Sequence, residues 1–329
     1  MIITQTPLRI GLLGGGTDLP EYYIEHGGRV LNCALDKYVY VIVKQRFDDD
    51  IYVNYSRKEI VSRVEDLEHE LVREAMLMTG VTKGVEITTL ADIPSAGSGL
   101  GSSSSVTVGL LHALFAYQGR QVSAEELAER ACTIEIDRCG KPIGKQDQYI
   151  AALGGIRDIT FGPGYAVVAR ELGISAAQRR ALQHQIMLFY TGITRSADSI
   201  LTEQNANVEA TLPQLDLLRN LAGFAAEQLR HGDVDGIGPA VRESWEAKRK
   251  LASGVSNDQI DQAVTRALDA GATGVKLTGA GGGGFLLVIC PVEHQRAVRK
   301  SLSDMAEFPV KLDRFGSRVV FNVTRDIWS

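Results

Sequence analysis

Residues 94–106 read P-S-A-G-S-G-L-G-S-S-S-S-V, three spaced glycines followed by four serines that open a helix expected to run to about Tyr117. Just upstream, residues 85–90 predict a short strand. A strand, a glycine loop and a helix start together gather backbone N–H groups and a helix dipole around a polyphosphate. The loop has no G-x-x-x-x-G-K-[ST], so it is not a P-loop. A second tract, residues 279–284, formally matches G-x-G-x-x-G but runs into the apolar stretch 285–289 rather than into a helix. That is the wrong context for a dinucleotide turn. A third cluster, residues 14–16, leads into Thr17 and Asp18.

These loops need elements to hold them. Residues 2–10 predict a strand ending at the first glycine cluster, 30–43 one or two β segments, and 51–55 another. Residues 61–78 predict a charged amphipathic helix. Ser123 and Glu126 match a capping box opening a helix that ends near Gly140, and residues 144–149, G-K-Q-D-Q-Y, read as a polar loop. Glycines at 154–164 punctuate a β region. The chain then changes character: a buried strand over 186–190, helices over 197–231, 234–253 and 257–270, strands at 275–277 and 285–289, a helix over 292–306 and strands near 309–324. The shift suggests two domains, 1–180 and 181–329, without a linker.

A net charge of −5 gives no global basic field, which argues against a nucleic-acid partner. No apolar run approaches the ~18 residues a membrane span needs. Cys33, Cys132, Cys139 and Cys290 lack C-x-x-C or metal-ligand spacing and read as reduced thiols of a cytoplasmic protein. The N-terminus shows no signal-peptide pattern. Oligomeric state stays open, a homodimer being one option.

In register, P-L-R-I-G-L-L-G-G-G-T-D, P-x-A-G-x-G-L-G-S-S-S and K-L-T-G-A-G-G-G-G-F resemble the three motifs of the GHMP kinases. Residues 14–28 and 144–149 further resemble the sugar-1-kinases that act on D-glycero-D-manno-heptose 7-phosphate. The resemblance implies an α+β fold: an N-terminal domain with a left-handed βαβ unit and a C-terminal ferredoxin-like domain, with the active site between them. It implies ATP as phosphoryl donor, Mg²⁺, and a sugar phosphate whose anomeric hydroxyl is phosphorylated. The 1,7-bisphosphate would then serve nucleotide-activated heptose and surface polysaccharide synthesis.

Residue by residue, the resemblance implies that Pro94, Ala96, Gly97, Ser98, Gly99, Leu100, Gly101, Ser102 and Ser103 hold the nucleotide phosphates. Ser103, with Ser102 and Ser104 as rivals, and Glu135 would hold Mg²⁺ through hard oxygens. Asp147 would take the proton of the attacking hydroxyl, and Arg9 would stabilise developing charge beside it. Asp18 would accept hydrogen bonds from sugar hydroxyls, with Gly16, Thr17, Gly279 and Gly281 shaping the wall. Lys145 and Arg195 are assigned to the substrate, with Lys141 and Lys276 as further cations for its phosphate. Plain structural readings stand beside these: Asp18 as a helix cap, Asp147 as a turn former, Glu135 and Arg9 as solvated surface charges. The rival functions are another sugar-1-kinase, of fucose or galactose, and a kinase-like sugar sensor that has kept its ligand site.

Overall fold

The computed structural model describes residues 1–93, 97–194 and 197–323, so Pro94, Ala96 and Arg195 lie outside the described residues. The larger sheet has eight strands. Its main path runs Arg318–Asn322, Ile2–Leu13, Gly28–Gln45, Val85–Ala91, Ile51–Asn54, Lys58–Val61. Gly28–Gln45 is one continuous strand, pairing Ile156–Phe161 through its first part and Val85–Ala91 through its second. Val39, Val41 and Val43 point to one face at period two and are fully buried. Ile51–Asn54 and Val85–Ala91 pair in parallel, and the helix Glu70–Thr79 lies between them in sequence, making the β-α-β connection.

The helix Ser102–Tyr117 lies against this sheet and buries nearly every side. Its approach is close because Gly109 has no side chain; a Cβ there would sit 2.9 Å from Thr6 Oγ1. Thr4 Oγ1 donates to the Gly109 carbonyl at 3.0 Å and Ser105 Oγ to the Pro7 carbonyl at 2.8 Å, which pins the helix start beside Arg9.

The second sheet is antiparallel, in the order Ala306–Glu307, Ile186–Tyr190, Phe285–Ile289, Gly274–Leu277. Numbered along the chain, that is fourth, first, third, second, the order of a ferredoxin-like unit. The fold is thus α+β, as expected. The last strand, Arg318–Asn322, returns to pair with Ile2–Leu13, and residue 180 falls inside the helix Ala176–Gln185. One apolar core continues from the first sheet under the helix Leu212–Arg230 through Leu221, Ala225 and Leu229. A second gathers Phe189, Trp245 and Leu286.

Several elements differ from expectation. In place of one helix over 61–78 stand the strand Lys58–Val61, a short 3-10 turn and the helix Glu70–Thr79. The cause is a side chain: both carboxylate oxygens of Glu59 accept backbone N–H groups, from Glu68 at 2.6 Å and His69 at 3.1 Å, and turn the chain there. Residues 144–149 are not all loop, since Gln146–Leu153 is a helix. The helix Ala176–Gln185 was not foreseen, although Ser175 and Gln178 form a complete capping box.

Candidate active site

The three glycine tracts meet in one cleft. Gly97, Ser98, Gly99, Gly101, Ser102 and Ser103 face it from the loop and helix start, and Arg9, Gly16 and Asp18 from the first strand and turn. Asp147 and Gly279 complete the wall. The second and third tracts touch backbone to backbone: a Cβ on Gly279 would lie 2.6 Å from Gly99 Cα, and one on Gly99 2.7 Å from the Thr278 carbonyl oxygen. Both residues have positive φ, so glycine is required twice over. Gly101 caps the helix Ser102–Tyr117 without a side-chain bond, which leaves first-turn N–H groups for an anion.

Arg9 and Asp147 form a bidentate pair. Arg9 Nε donates to Asp147 Oδ1 at 2.6 Å and Nη2 to Oδ2 at 2.5 Å, while Nη1 donates to the Gly99 carbonyl at 2.6 Å. The Arg9 side chain is 6% exposed and that of Asp147 21%, so this arginine is not a solvated strand residue. Asp147 stands in the first turn of Gln146–Leu153, where the helix dipole favours its negative charge.

Asp18 is buried. Its Oδ1 accepts from Gly16 N at 3.1 Å and Gln146 Nε2 at 2.9 Å, and its Oδ2 from Gln146 N at 3.4 Å. It does not cap the neighbouring helix, whose cap position is Leu19. Burial, and next the Asp147 charge, push its carboxyl above the usual range. Gly144 makes the arrangement possible, because a Cβ there would fall 2.0 Å from Asp18 Oδ2.

Glu135 is fully buried in a π-helical stretch, Thr133–Arg138, and is no surface residue. Ser103 Oγ donates to its Oε1 at 2.8 Å, and Ser104 Oγ and Gln148 Nε2 donate to Oε2 at 2.8 and 2.6 Å. Burial pushes its carboxyl up and the three donors partly offset that. Ser102 Oγ, one residue before Ser103, is buried without a hydrogen-bond partner among the described residues. Among the described residues no group of three His, Cys, Asp or Glu could hold a metal alone. A carboxylate plus hydroxyls beside a phosphate loop does fit Mg²⁺, which takes one or two protein oxygens and fills its sphere with water and phosphate.

Other expected residues serve the scaffold. Thr17 is buried, and its Oγ1 donates to the Gly14 carbonyl at 2.8 Å and accepts from Arg29 N at 3.1 Å. Leu100 is buried too, and its carbonyl accepts the Arg9 N–H at 3.0 Å. Gly281 lies against Val255, whose carbonyl oxygen a Cβ there would meet at 2.7 Å. Of the four cations, Lys141 lines the cleft and pairs with Glu70 at 2.6 Å. Lys145 precedes the helix Gln146–Leu153, half-buried and outside the cleft lining. Lys276 is buried and donates to the Gly11 and Leu12 carbonyls at 2.8 and 3.0 Å. Burial drives its pKa well down.

Gln146, inside the 144–149 motif, lines the cleft without an expected role, and Gln204 and Lys248 line it without any motif to mark them. Lys248 ends the helix Ile237–Lys248, is buried, and donates from Nζ to the Gly279 carbonyl at 2.5 Å. Burial pulls its pKa down to about 8, against the attraction of Asp18.

Comparison with known proteins adds to this geometry. The family description "GHMP kinases N terminal domain" matches residues 54–155, and "GHMP kinases C terminal" matches residues 225–307. The D-glycero-alpha-D-manno-heptose 7-phosphate kinase of Campylobacter jejuni is 31% identical over 87% of this chain and 88% of its own length. A crystal structure of a D-glycero-D-manno-heptose 1-phosphate kinase from Bacteroides thetaiotaomicron superimposes with a TM-score of 0.83 at 24% identity, covering 98% of this chain and 100% of that one. A putative sugar kinase from Campylobacter jejuni gives 0.79 at 28% identity, covering 97% of each. Among the described residues no helix is long and apolar enough to cross a membrane.

Proposed function

The chain belongs to the GHMP kinases, and from that premise we propose that it phosphorylates the anomeric hydroxyl of D-glycero-D-manno-heptose 7-phosphate with ATP and Mg²⁺. The observation that carries the substrate assignment is the 31% identity with the Campylobacter jejuni heptose 7-phosphate kinase across nearly the whole of both chains. The cleft agrees with it in kind: Asp18 offers a carboxylate for sugar hydroxyls, within a group bonded to the helix that carries Asp147.

In this reading the anomeric oxygen attacks the γ-phosphorus of ATP. The new O–P bond forms as the bond to the β–γ bridging oxygen breaks, ADP leaves, and the hydroxyl proton passes to Asp147. Arg9 holds that carboxylate in place and, through Gly99, fixes it relative to the phosphate loop. The loop and the first turn of Ser102–Tyr117 receive the phosphates through backbone N–H groups. Mg²⁺, held by Ser103 and Glu135, would neutralise phosphate charge when bound. The product, the 1,7-bisphosphate, suits a following step that removes one phosphate and activates the other with a nucleotide, toward surface polysaccharide. The domains 1–180 and 181–329 would contribute the nucleotide loop with the base, and the closing tract, respectively.

ADP release measured over a panel of heptose 7-phosphate, fucose and galactose tests the assignment, with phosphorus NMR locating the new phosphate on C1. Fucose or galactose turning over far better than the heptose phosphate would reject it in favour of another sugar-1-kinase. ATP binding without turnover of any sugar would favour the sensor reading.

A further inference from the structure

We infer that Gln204 and Lys248, on two helices of the C-terminal half, form a second wall of the acceptor subsite and hydrogen-bond neutral oxygens of the sugar beside Asp18. The inference rests on the sugar-kinase reading and adds residues that no motif marks.

Both side chains reach over the first glycine turn. A Cβ on Gly15 would lie 3.6 Å from Lys248 Nζ, and one on Gly16 would lie 3.9 Å from Gln204 Oε1. These are van der Waals distances, so the two polar ends stand directly against the first glycine turn. Gln204 lines the cleft at 4% exposure, yet among the described residues its Nε2 has no hydrogen-bond partner. An unsatisfied buried amide is destabilising, so a ligand that accepts from it has a built site waiting. Lys248 is 5% exposed, and among the described residues its ammonium, with three donors, makes one hydrogen bond, to the Gly279 carbonyl.

The charges say which ligand atoms fit. The carboxylates that act on Lys248 are Asp18 and Asp147, both on the acceptor side of the cleft, whereas the phosphate loop is served by Arg9 and backbone N–H groups. A phosphate placed here would face the Asp18 carboxylate and a neutral amide. Sugar hydroxyls can accept from Gln204 and Lys248 while donating to Asp18, and a ring oxygen can accept from either.

Steady-state kinetics of Gln204→Leu and Lys248→Met, varying heptose 7-phosphate at saturating ATP and then the reverse, tests this. The acceptor KM is expected to rise about tenfold in Gln204→Leu and by about 10- to 100-fold in Lys248→Met, with the ATP KM within about twofold of wild type. An unchanged ATP KM also certifies the fold of each variant. Should a variant fail to fold, ring-deoxy analogues of the sugar phosphate on the wild-type enzyme, with Gln204→Asn beside it, give the same answer. One analogue should lose about tenfold on wild type and little on the variant. If wild type turns the sugar phosphate over but both variants keep its KM, or raise only the ATP KM, this inference fails alone. If wild type turns over no sugar phosphate, the kinase assignment fails and takes the inference with it.

Discussion

Arg9 grips both carboxylate oxygens of Asp147, at 2.6 and 2.5 Å, while its remaining nitrogen holds the Gly99 carbonyl at 2.6 Å. One guanidinium therefore fixes the distance between the proposed base and the phosphate loop. Asp147→Asn keeps the shape of the side chain and removes its capacity to take a proton. kcat is expected to fall by roughly 10²- to 10⁴-fold, while calorimetry shows ATP binding little changed. Near-normal turnover in Asp147→Ala would overturn the role of base.

Glu135 offers a different test, because its carboxylate is wholly inside the protein and held by Ser103, Ser104 and Gln148. In Glu135→Gln the new amide faces the Gln148 amide and supplies no charge to a cation. The Mg²⁺ concentration for half-maximal activity should rise by about 10- to 100-fold. Thermal stability should change little, since a buried charge is removed along with its hydrogen bonds. An unaltered Mg²⁺ requirement would remove Glu135 from the metal site.

What the sequence made legible was mostly backbone. Gly99 and Gly279 advertise their close contact because only the lack of a Cβ permits it, and that lack is written in the chain. Asp147 was legible as a residue but not in its setting: Lys145 supplies no side-chain cap, so the short helix Gln146–Leu153 leaves no start signal. The charged run after residue 60 has helical spacing, and the grip of the Glu59 side chain on the Glu68 and His69 amides, nine and ten residues on, overrides it. Gln204 and Lys248 were invisible for a related reason. Each sits on a helix without a motif, and only tertiary packing brings it to the first glycine turn.

Gly144 is the position where the smallest change should do most to the acceptor side. Its conformation is open to other residues, but a methyl group there would lie 2.0 Å from Asp18 Oδ2 and 2.6 Å from the Asp18 carbonyl oxygen. Gly144→Ala must push Asp18 aside, at a cost of about 1–3 kcal/mol for overpacking. We expect the acceptor KM to rise by tenfold or more and the ATP KM to hold. Wild-type kinetics in Gly144→Ala would show that Asp18 can move without consequence and is not a sugar ligand.

Asp158 joins the first sheet to the helix Leu212–Arg230, with Arg29 Nη2 at 2.8 Å and Arg230 Nη2 at 2.7 Å. Burial raises its pKa, but the hydrogen bonds from Arg29 and Arg230 outweigh burial and hold the carboxyl below its ordinary value. The unfolded chain then binds more protons in acid than the folded one. Stability from this group is complete above about pH 4 and drains as pH falls through the native pKa. Both arginines are more than a quarter exposed, so solvent screens the pair. Asp158→Ala should cost about 1–3 kcal/mol in urea unfolding at neutral pH and flatten the acid limb of stability against pH. An unchanged acid limb would mean that the cluster contributes nothing to folding.

Lys248 makes the acceptor side sensitive to alkaline pH. Burial is the largest influence and lowers its pKa to about 8; Asp18 and Asp147 pull it up, and Arg9 pulls it down. Lys276, the other buried lysine close enough to interact with it, has its own pKa driven well down by burial. Below pH 8 the Lys248 ammonium is present to donate; above it the amine is neutral, whereas in an unfolded chain it would stay charged to about pH 10.4. Between those values the unfolded chain holds the extra proton, so this group's contribution to stability rises with pH there, while its grip on an acceptor weakens. The phosphate of the sugar titrates near pH 6, clear of this window. The acceptor KM should therefore climb as pH passes 8, approaching about tenfold per unit where the protonated lysine is required. In Lys248→Met the KM should start high and stay level. A wild-type KM that is flat from pH 7 to about 9.5 would mean that the buried ammonium never touches the sugar.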